Sequence, residues 1–309
     1  MNQPTRLQGV FAPVLTPFNA DHSPAPDRLV RHCRWLVDQR VGLAVFGTNS
    51  EGNSLSVSEK RRLLDTLIES GLPAERMMPG TGACAPTDTI ELTRHAVRSG
   101  CGGVLMLPPF YYKGVTDEGL YRAFAGVIDA VADKRLRIYL YHIPQVSNVP
   151  ISLDLIDRLL GRYPGTIAGV KDSSGDWNNT AAMLERFASR GFDVFAGSET
   201  FLLANLRGGG MGCISATANV NPGPIVRLYE EWRHRDAEAQ QAALDETRAA
   251  FAKFPMIAAM KASIAWKTGN AAWRTVRPPL VELSAEQRTA LEAELTAVKF
   301  ELANAGALA

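Results

Sequence analysis

Lys171 carries the strongest chemical signal in this 309-residue chain, because it is a single amine closing an apolar, strand-like run, Thr166-Ile167-Ala168-Gly169-Val170-Lys171. The chain has seven other lysines, Lys60, Lys113, Lys134, Lys253, Lys261, Lys267 and Lys299, all in polar turns or helical patterns, where a solvated ammonium is cheap. An amine behind β-branched and small residues is expected to lose part of its hydration. Desolvation disfavours the ammonium, draws the pKa toward neutrality and lets the free amine attack a carbonyl to form a Schiff base. The plainer alternative, a strand-end lysine that snorkels into solvent or pairs with a carboxylate, stays open on the lysine alone.

Other residues at the ends of apolar runs suit the same chemistry. Gly47-Thr48-Asn49-Ser50-Glu51-Gly52 is a cluster of backbone amides and short polar side chains that can hold a carboxylate without arginine, although it also reads as an ordinary turn. One run leads into Pro108-Pro109-Phe110-Tyr111-Tyr112, and another carries Tyr139-Leu140-Tyr141 before His142-Ile143-Pro144. A tyrosine near an amine can relay protons, whereas adjacent aromatics also serve as core or interface material.

Metal and disulfide chemistry find no such support. His22, His32, His95, His142 and His234 show no ligand spacing, and Cys33, Cys84, Cys101 and Cys213 form no C-x-x-C pair and read as small core residues.

The elements that must position these groups are short apolar runs alternating with amphipathic stretches. Eight runs stand out: 9–17, 42–47, 76–81, 103–108, 137–143, 166–171, 192–197 and 211–216. They recur every ~20 to 35 residues, and intervening segments such as 58–70 and 87–99 have helical periodicity. Eight strand-helix units in series predict an α/β chain with a parallel barrel, whose active site lies at the C-terminal strand ends. A doubly wound sheet is the rival, but no G-x-G-x-x-G or G-x-x-x-x-G-K motif follows any run. Gly208-Gly209-Gly210-Met211-Gly212 precedes a strand and reads as a tight turn. After about residue 222 the pattern is helical only, which predicts a barrel over 1–222 and a helical appendage over 223–309.

Composition limits the partners. The chain is 46% hydrophobic and 21% charged, with 33 Lys plus Arg against 32 Asp plus Glu and a net charge of +1. That balance offers no electrostatic footprint for nucleic acid or an anionic membrane and points to small molecules or further copies of the chain. With no charged leader ahead of a long apolar stretch and no segment of ~20 apolar residues, a cytoplasmic protein is expected.

Taken together, these segments resemble the dihydrodipicolinate synthase and N-acetylneuraminate lyase family of pyruvate-dependent class I aldolases. The resemblance rests on Ala12 to Phe18, Gly47 to Glu51, Tyr111-Tyr112, Tyr141 to Pro144, Gly169 to Asp172 and Cys213 to Val220, in that order. It implies a (β/α)8 TIM barrel with a C-terminal helical subdomain, assembled as a homotetramer built from dimers, with no cofactor. It implies that Lys171 forms the Schiff base with pyruvate or another 2-keto acid and that Tyr141 is the general acid or base. It further implies that Thr48 and Tyr112 complete a proton relay, with Tyr112 reaching across the dimer interface, that Thr48 and Asn49 hold the carboxylate, and that the carbonyl of Ile214 faces the site.

Departures from the family pattern shape the expected substrate. Dihydrodipicolinate synthases place an arginine where this chain has Val146, which cannot grip the carboxylate of a second substrate. Asn49 and Ser50 stand where the family usually has Thr and Gly. The remaining polar groups, His142, Gln145, Ser173, Ser174, Ser198, Glu199 and Thr200, suit a polyol chain, so a 2-keto-3-deoxy sugar acid cleaved to pyruvate and an aldehyde is the leading expectation. A dehydratase or deaminase using the same lysine, a dihydrodipicolinate synthase and a non-catalytic keto-acid binder are the alternatives.

Overall fold

Apolar runs of the kind read above become seven short strands, separated by helices, in a computed structural model that describes residues 6–308. Residues 1–5, part of the stretch read for a leader, and Ala309 lie outside the described residues. The strands are β1 (Gly9–Ala12), β2 (Gly42–Leu43), β3 (Val104–Met106), β4 (Ile138–His142), β5 (Ile167–Asp172), β6 (Asp193–Ala196) and β7 (Gly212–Ile214). The helices are α1 (Pro26–Asp38), α2 (Val57–Glu69), α3 (Pro86–Arg98), α4 (Asp117–Val131), α5 (Pro144–Ser147), α6 (Leu153–Arg162), α7 (Trp177–Phe187), α8 (Leu202–Arg207), α9 (Pro222–Glu231), α10 (Ala237–Ala252), α11 (Met256–Thr268) and α12 (Ala285–Ala297). This is the strand-helix alternation of a (β/α)8 fold followed by helices alone. No helix among the described residues is long and apolar enough to cross a membrane.

Two compact units divide the chain. The first comprises residues up to Gly9 together with Pro73–Ile214, and its strands pair in parallel in the order β3-β4-β5-β6-β7. Parallel strands covered on both faces are apolar throughout, and every residue of β3, β4, β6 and β7 is buried. The expected strand over 76–81 survives here as a single bridge, Gly80 beside Leu105, held by Thr81 N–H to Leu105 O at 3.0 Å and Leu105 N–H to Pro79 O at 2.9 Å. Pro79 has no N–H to extend the ladder.

The glycine-rich segment before β7 is a turn, as expected. Gly208 and Gly209 donate back to Ala204 and Leu206, and Gly212 takes φ 136° against the backbone of Gly9, where a Cβ would collide with the Gly9 carbonyl oxygen.

The second unit comprises Val10–Leu72 and Ser215–Ala309. Phe11 and Ala12 of β1 pair with Gly42 and Leu43 of β2, and a side chain at Gly42 would strike the Phe11 ring. Ser56 with Glu59, and Ser284 with Gln287, form capping boxes that start α2 and α12. Helix α1 packs on α2, and helices α9 to α12, which follow Ser215, pack on one another.

Candidate active site

Period-2 alternation along β4 sends Tyr139 and Tyr141 to one face, and on β5 it sends Gly169 and Lys171 to one face. The register pairs Tyr139 with Gly169 and Tyr141 with Lys171, so the two tyrosines meet the two β5 positions in successive layers. In the upper layer the Lys171 Nζ donates to the Tyr141 hydroxyl at 3.2 Å and lies 4.3 Å from the centre of its ring. Both residues are only 2% exposed, so amine and phenol face each other away from bulk water.

The layer below explains why β5 carries a glycine. A Cβ at Gly169 would run into the backbone oxygen of Asp193 and the ring of Tyr139, which lies 2.9 Å away at Cδ1. Without it, Tyr139 crosses to β6 and donates to Asp193 Oδ2 at 3.0 Å, while its ring packs edge-on against Phe195. Arg6 Nε donates to Asp193 Oδ1 at 2.7 Å. Burial pushes the Asp193 carboxyl upward against the opposing pull of Arg6, and burial with the Asp193 charge holds the Tyr139 phenol protonated.

His142 and Asp172 are register partners on the opposite faces of the same two strands. His142 Nδ1 accepts from Ile151 N–H at 3.0 Å, which leaves the ring proton on Nε2. Burial lowers the His142 pKa, partly offset by the Asp172 charge. Asp172 is held by Ser174 N–H at 3.0 Å, Asn179 at 3.0 Å and Thr180 at 2.6 Å. The structure therefore brings Lys171 and Tyr141 together and turns His142 to the other side of β4, toward the segment before α6.

The remaining expected residues of this unit sit at strand ends and loops. Gln145 is exposed at the start of α5 and donates to Ser173 O, with Val146 beside it 58% exposed. Tyr112 is 73% exposed and edge-on to Tyr111, in a loop pinned where Lys113 Nζ donates to Ser147 O at 2.8 Å. Ser198 Oγ accepts from Thr200 N–H and Oγ1, Glu199 is buried, and Ile214 ends β7 in the core.

In the second unit, the turn bearing Thr48 and Asn49 closes on itself. Ser50 and Gly52 N–H donate to Gly47 O at 3.1 and 3.0 Å, Glu51 N–H to Thr48 O at 3.0 Å, and Gly47 N–H to Ser50 Oγ at 3.2 Å. Thr16 Oγ1 fastens it from β1's extension by donating to Ser50 O at 2.7 Å. Gly52 is required, because a Cβ there would collide with the Phe46 carbonyl. Thr48 and Asn49 remain half-buried at the tip.

Two readings from sequence need correction. Lys261 and Lys60 are buried, not solvated, and Lys261 is ion-paired to Glu51 with both side chains wholly out of solvent. The signal for Lys261 was present: it is a lone charge inside Met256-Ile257-Ala258-Ala259-Met260-Lys261-Ala262-Ser263-Ile264-Ala265, a helix apolar on every side. Cys33 and Cys213 are core residues as expected, but Cys84 is exposed and Cys101 only half-buried.

Known proteins extend these observations. The sequence profile of the Dihydrodipicolinate synthetase family matches residues 6–298. A DapA-like lyase of Chloroflexus aurantiacus is 34% identical over 290 residues, covering 93% of this chain and 95% of its own. The crystal structure of dihydrodipicolinate synthase from Agrobacterium tumefaciens, 31% identical, superposes with a TM-score of 0.85 over 94% of this chain and 99% of that one. A prophage protein of the dihydrodipicolinic acid synthase family from E. coli K12, solved in complex with pyruvate, is 26% identical with a TM-score of 0.86 over 95% and 99%. Fold class and sequence agree: the chain has the (β/α)8-barrel fold with C-terminal helices, is a lyase-class enzyme, and belongs to the dihydrodipicolinate synthetase family.

Proposed function

We propose that this enzyme is a Schiff-base lyase that cleaves a 2-keto acid to pyruvate and an aldehyde, or runs the reverse addition. The observation that carries the reading is the buried contact between Lys171 Nζ and the Tyr141 hydroxyl at 3.2 Å. The Lys171 amine adds to the C2 carbonyl and expels water, giving an iminium. The C3–C4 bond then breaks, its electron pair moving into the iminium to form an enamine. Tyr141 takes the proton from the C4 hydroxyl, and the aldehyde leaves. Protonation of the enamine at C3 and hydrolysis of the imine release pyruvate and free Lys171.

Thr48 and Asn49 are assigned to the keto-acid carboxylate, Thr48 and Tyr112 to proton relay, and Ile214, Gln145, Ser198 and Glu199 to substrate binding. The assignments follow the family resemblance. Val146 supplies no charge for the carboxylate of a second substrate, which favours a polyol aldehyde and hence a 2-keto-3-deoxy sugar acid. Pyruvate bound to the E. coli relative supports the keto-acid half of the reading. The barrel spans residues 1–222, the appendage 223–309, and a cytoplasmic homotetramer completes the proposal.

Borohydride reduction in the presence of pyruvate, followed by peptide mass mapping, tests it. A reduced pyruvyl adduct on the peptide containing Lys171 is expected. Its absence, or its appearance only on other lysines, rules out the Schiff-base reading.

A further inference from the structure

A second lysine is buried as deeply as Lys171, and the mechanism above does not use it. Lys261 lies in the middle of α11, where Ala258 to Ala265 are all buried, so no polar face of the helix is available to it. Its ammonium donates to Glu51 Oε1 and, at 2.8 Å, to Thr275 O, and it sits 4.6 Å over the Phe18 ring. The partner carboxylate is gripped on both oxygens, because Glu51 Oε2 accepts from Arg277 N–H at 2.7 Å. Glu51 cannot rotate without leaving a buried donor unpaired.

The backbone of Glu51 is equally constrained. It adopts φ 55° and ψ 33°, a left-handed conformation that residues with a side chain rarely take. That conformation turns the chain at the end of the Gly47–Gly52 loop, with Glu51 N–H returned to Thr48 O at 3.0 Å. Strained backbone of this kind persists where its surroundings over-determine it, and it gathers at functional sites. A buried ion pair is in itself a poor source of stability, since apolar residues of similar volume often serve as well. What a charged pair adds is a fixed geometry for the backbone it holds.

We propose that Lys261 and Glu51 are positioning residues: the pair, reaching across 210 positions of sequence, locks the Gly47–Gly52 turn in the shape that lets Thr48 and Asn49 receive a keto-acid carboxylate. The proposal rests on the keto-acid reading above. Neither residue touches the substrate. Both act through the turn.

The test is pyruvate titration of borohydride trapping in the full-length enzyme, with melting temperature measured in parallel. Glu51→Gln keeps the side-chain volume but cannot accept from both Lys261 and Arg277 N–H. Lys261→Met removes the ammonium and fills its space. The double variant Lys261→Met with Glu51→Gln removes both charges, so no lone buried charge is left to unfold it. The half-saturating pyruvate concentration is expected to rise at least tenfold in each soluble variant, with the plateau of trapped adduct unchanged. In the double variant it stays raised even as melting returns toward that of the parent. A wild-type half-saturation in the double variant would overturn the proposal and leave the pair purely structural, while the parent's adduct still upholds the Schiff-base reading. No adduct in the parent enzyme overturns both.

Discussion

Tyr141 and Lys171 are direct register partners on β4 and β5, and the hydroxyl of one lies 3.2 Å from the amine of the other. Because the two elements pair in parallel with a shared face, the contact follows from backbone hydrogen bonding and needs no loop to hold it. Tyr141→Phe keeps the ring against the amine and removes only the hydroxyl. Turnover of the keto acid is expected to fall about 10²- to 10⁴-fold, the range of a lost general acid or base, while the borohydride adduct on Lys171 still forms. Lys171→Arg is expected to abolish the adduct. An adduct-forming Phe variant with full turnover would remove Tyr141 from the chemistry.

The glycine beneath the lysine makes a separate prediction. Gly169→Ala pushes a methyl against the backbone of Asp193 and the ring of Tyr139, and neither is the free end of a flexible chain. Overpacking of this kind costs about 1–3 kcal/mol. Urea denaturation gives the size of the loss, and an unchanged midpoint would mean that β5 and β6 separate more easily than the structure indicates.

Tyr139→Phe leaves Asp193 with Arg6 but without the phenol. Removal of one donor from a buried carboxylate is expected to cost about 1–3 kcal/mol. Asp193→Asn removes the charge that burial already disfavours, so it should destabilise less than Tyr139→Phe if desolvation outweighs the Arg6 pair. The two unfolding curves, measured at one pH, decide the order.

Arg277 donates to both oxygens of Glu59, at 3.0 and 2.8 Å, and these bonds hold the Glu59 carboxyl down to about 2. A carboxylate depressed in the folded state adds stability that is complete above its unfolded value of 4.5 and is lost as pH falls toward 2. The pair is partly exposed, so after solvent screening its contribution is about 1 kcal/mol. Wild type should exceed Glu59→Gln by that margin at pH 7, and the two should converge only at about pH 2 and below. A gap that stays constant across this range would show that the proton has no part in it.

Much of this organisation is legible in the chain itself. Apolar runs bounded by polar turns marked β1, β2 and β3 to β7, because a strand covered on both faces must be apolar along its length. The helical spacing of apolar residues over 58–70 and 87–99 announced α2 and α3, which span Val57–Glu69 and Pro86–Arg98. The lone amine at Lys171 stood out by its placement among residues that exclude water. Only tertiary structure decided what that amine meets. The register between β4 and β5 selects Tyr141 and turns His142 away, since a shift of one residue would reverse the faces. Tyr139 reaching Asp193 over a glycine, and Lys261 reaching Glu51 from a distant helix, depend on packing between segments far apart in sequence. Local patterns record the burial of a side chain, whereas its partner is set by the space that other parts of the chain leave open.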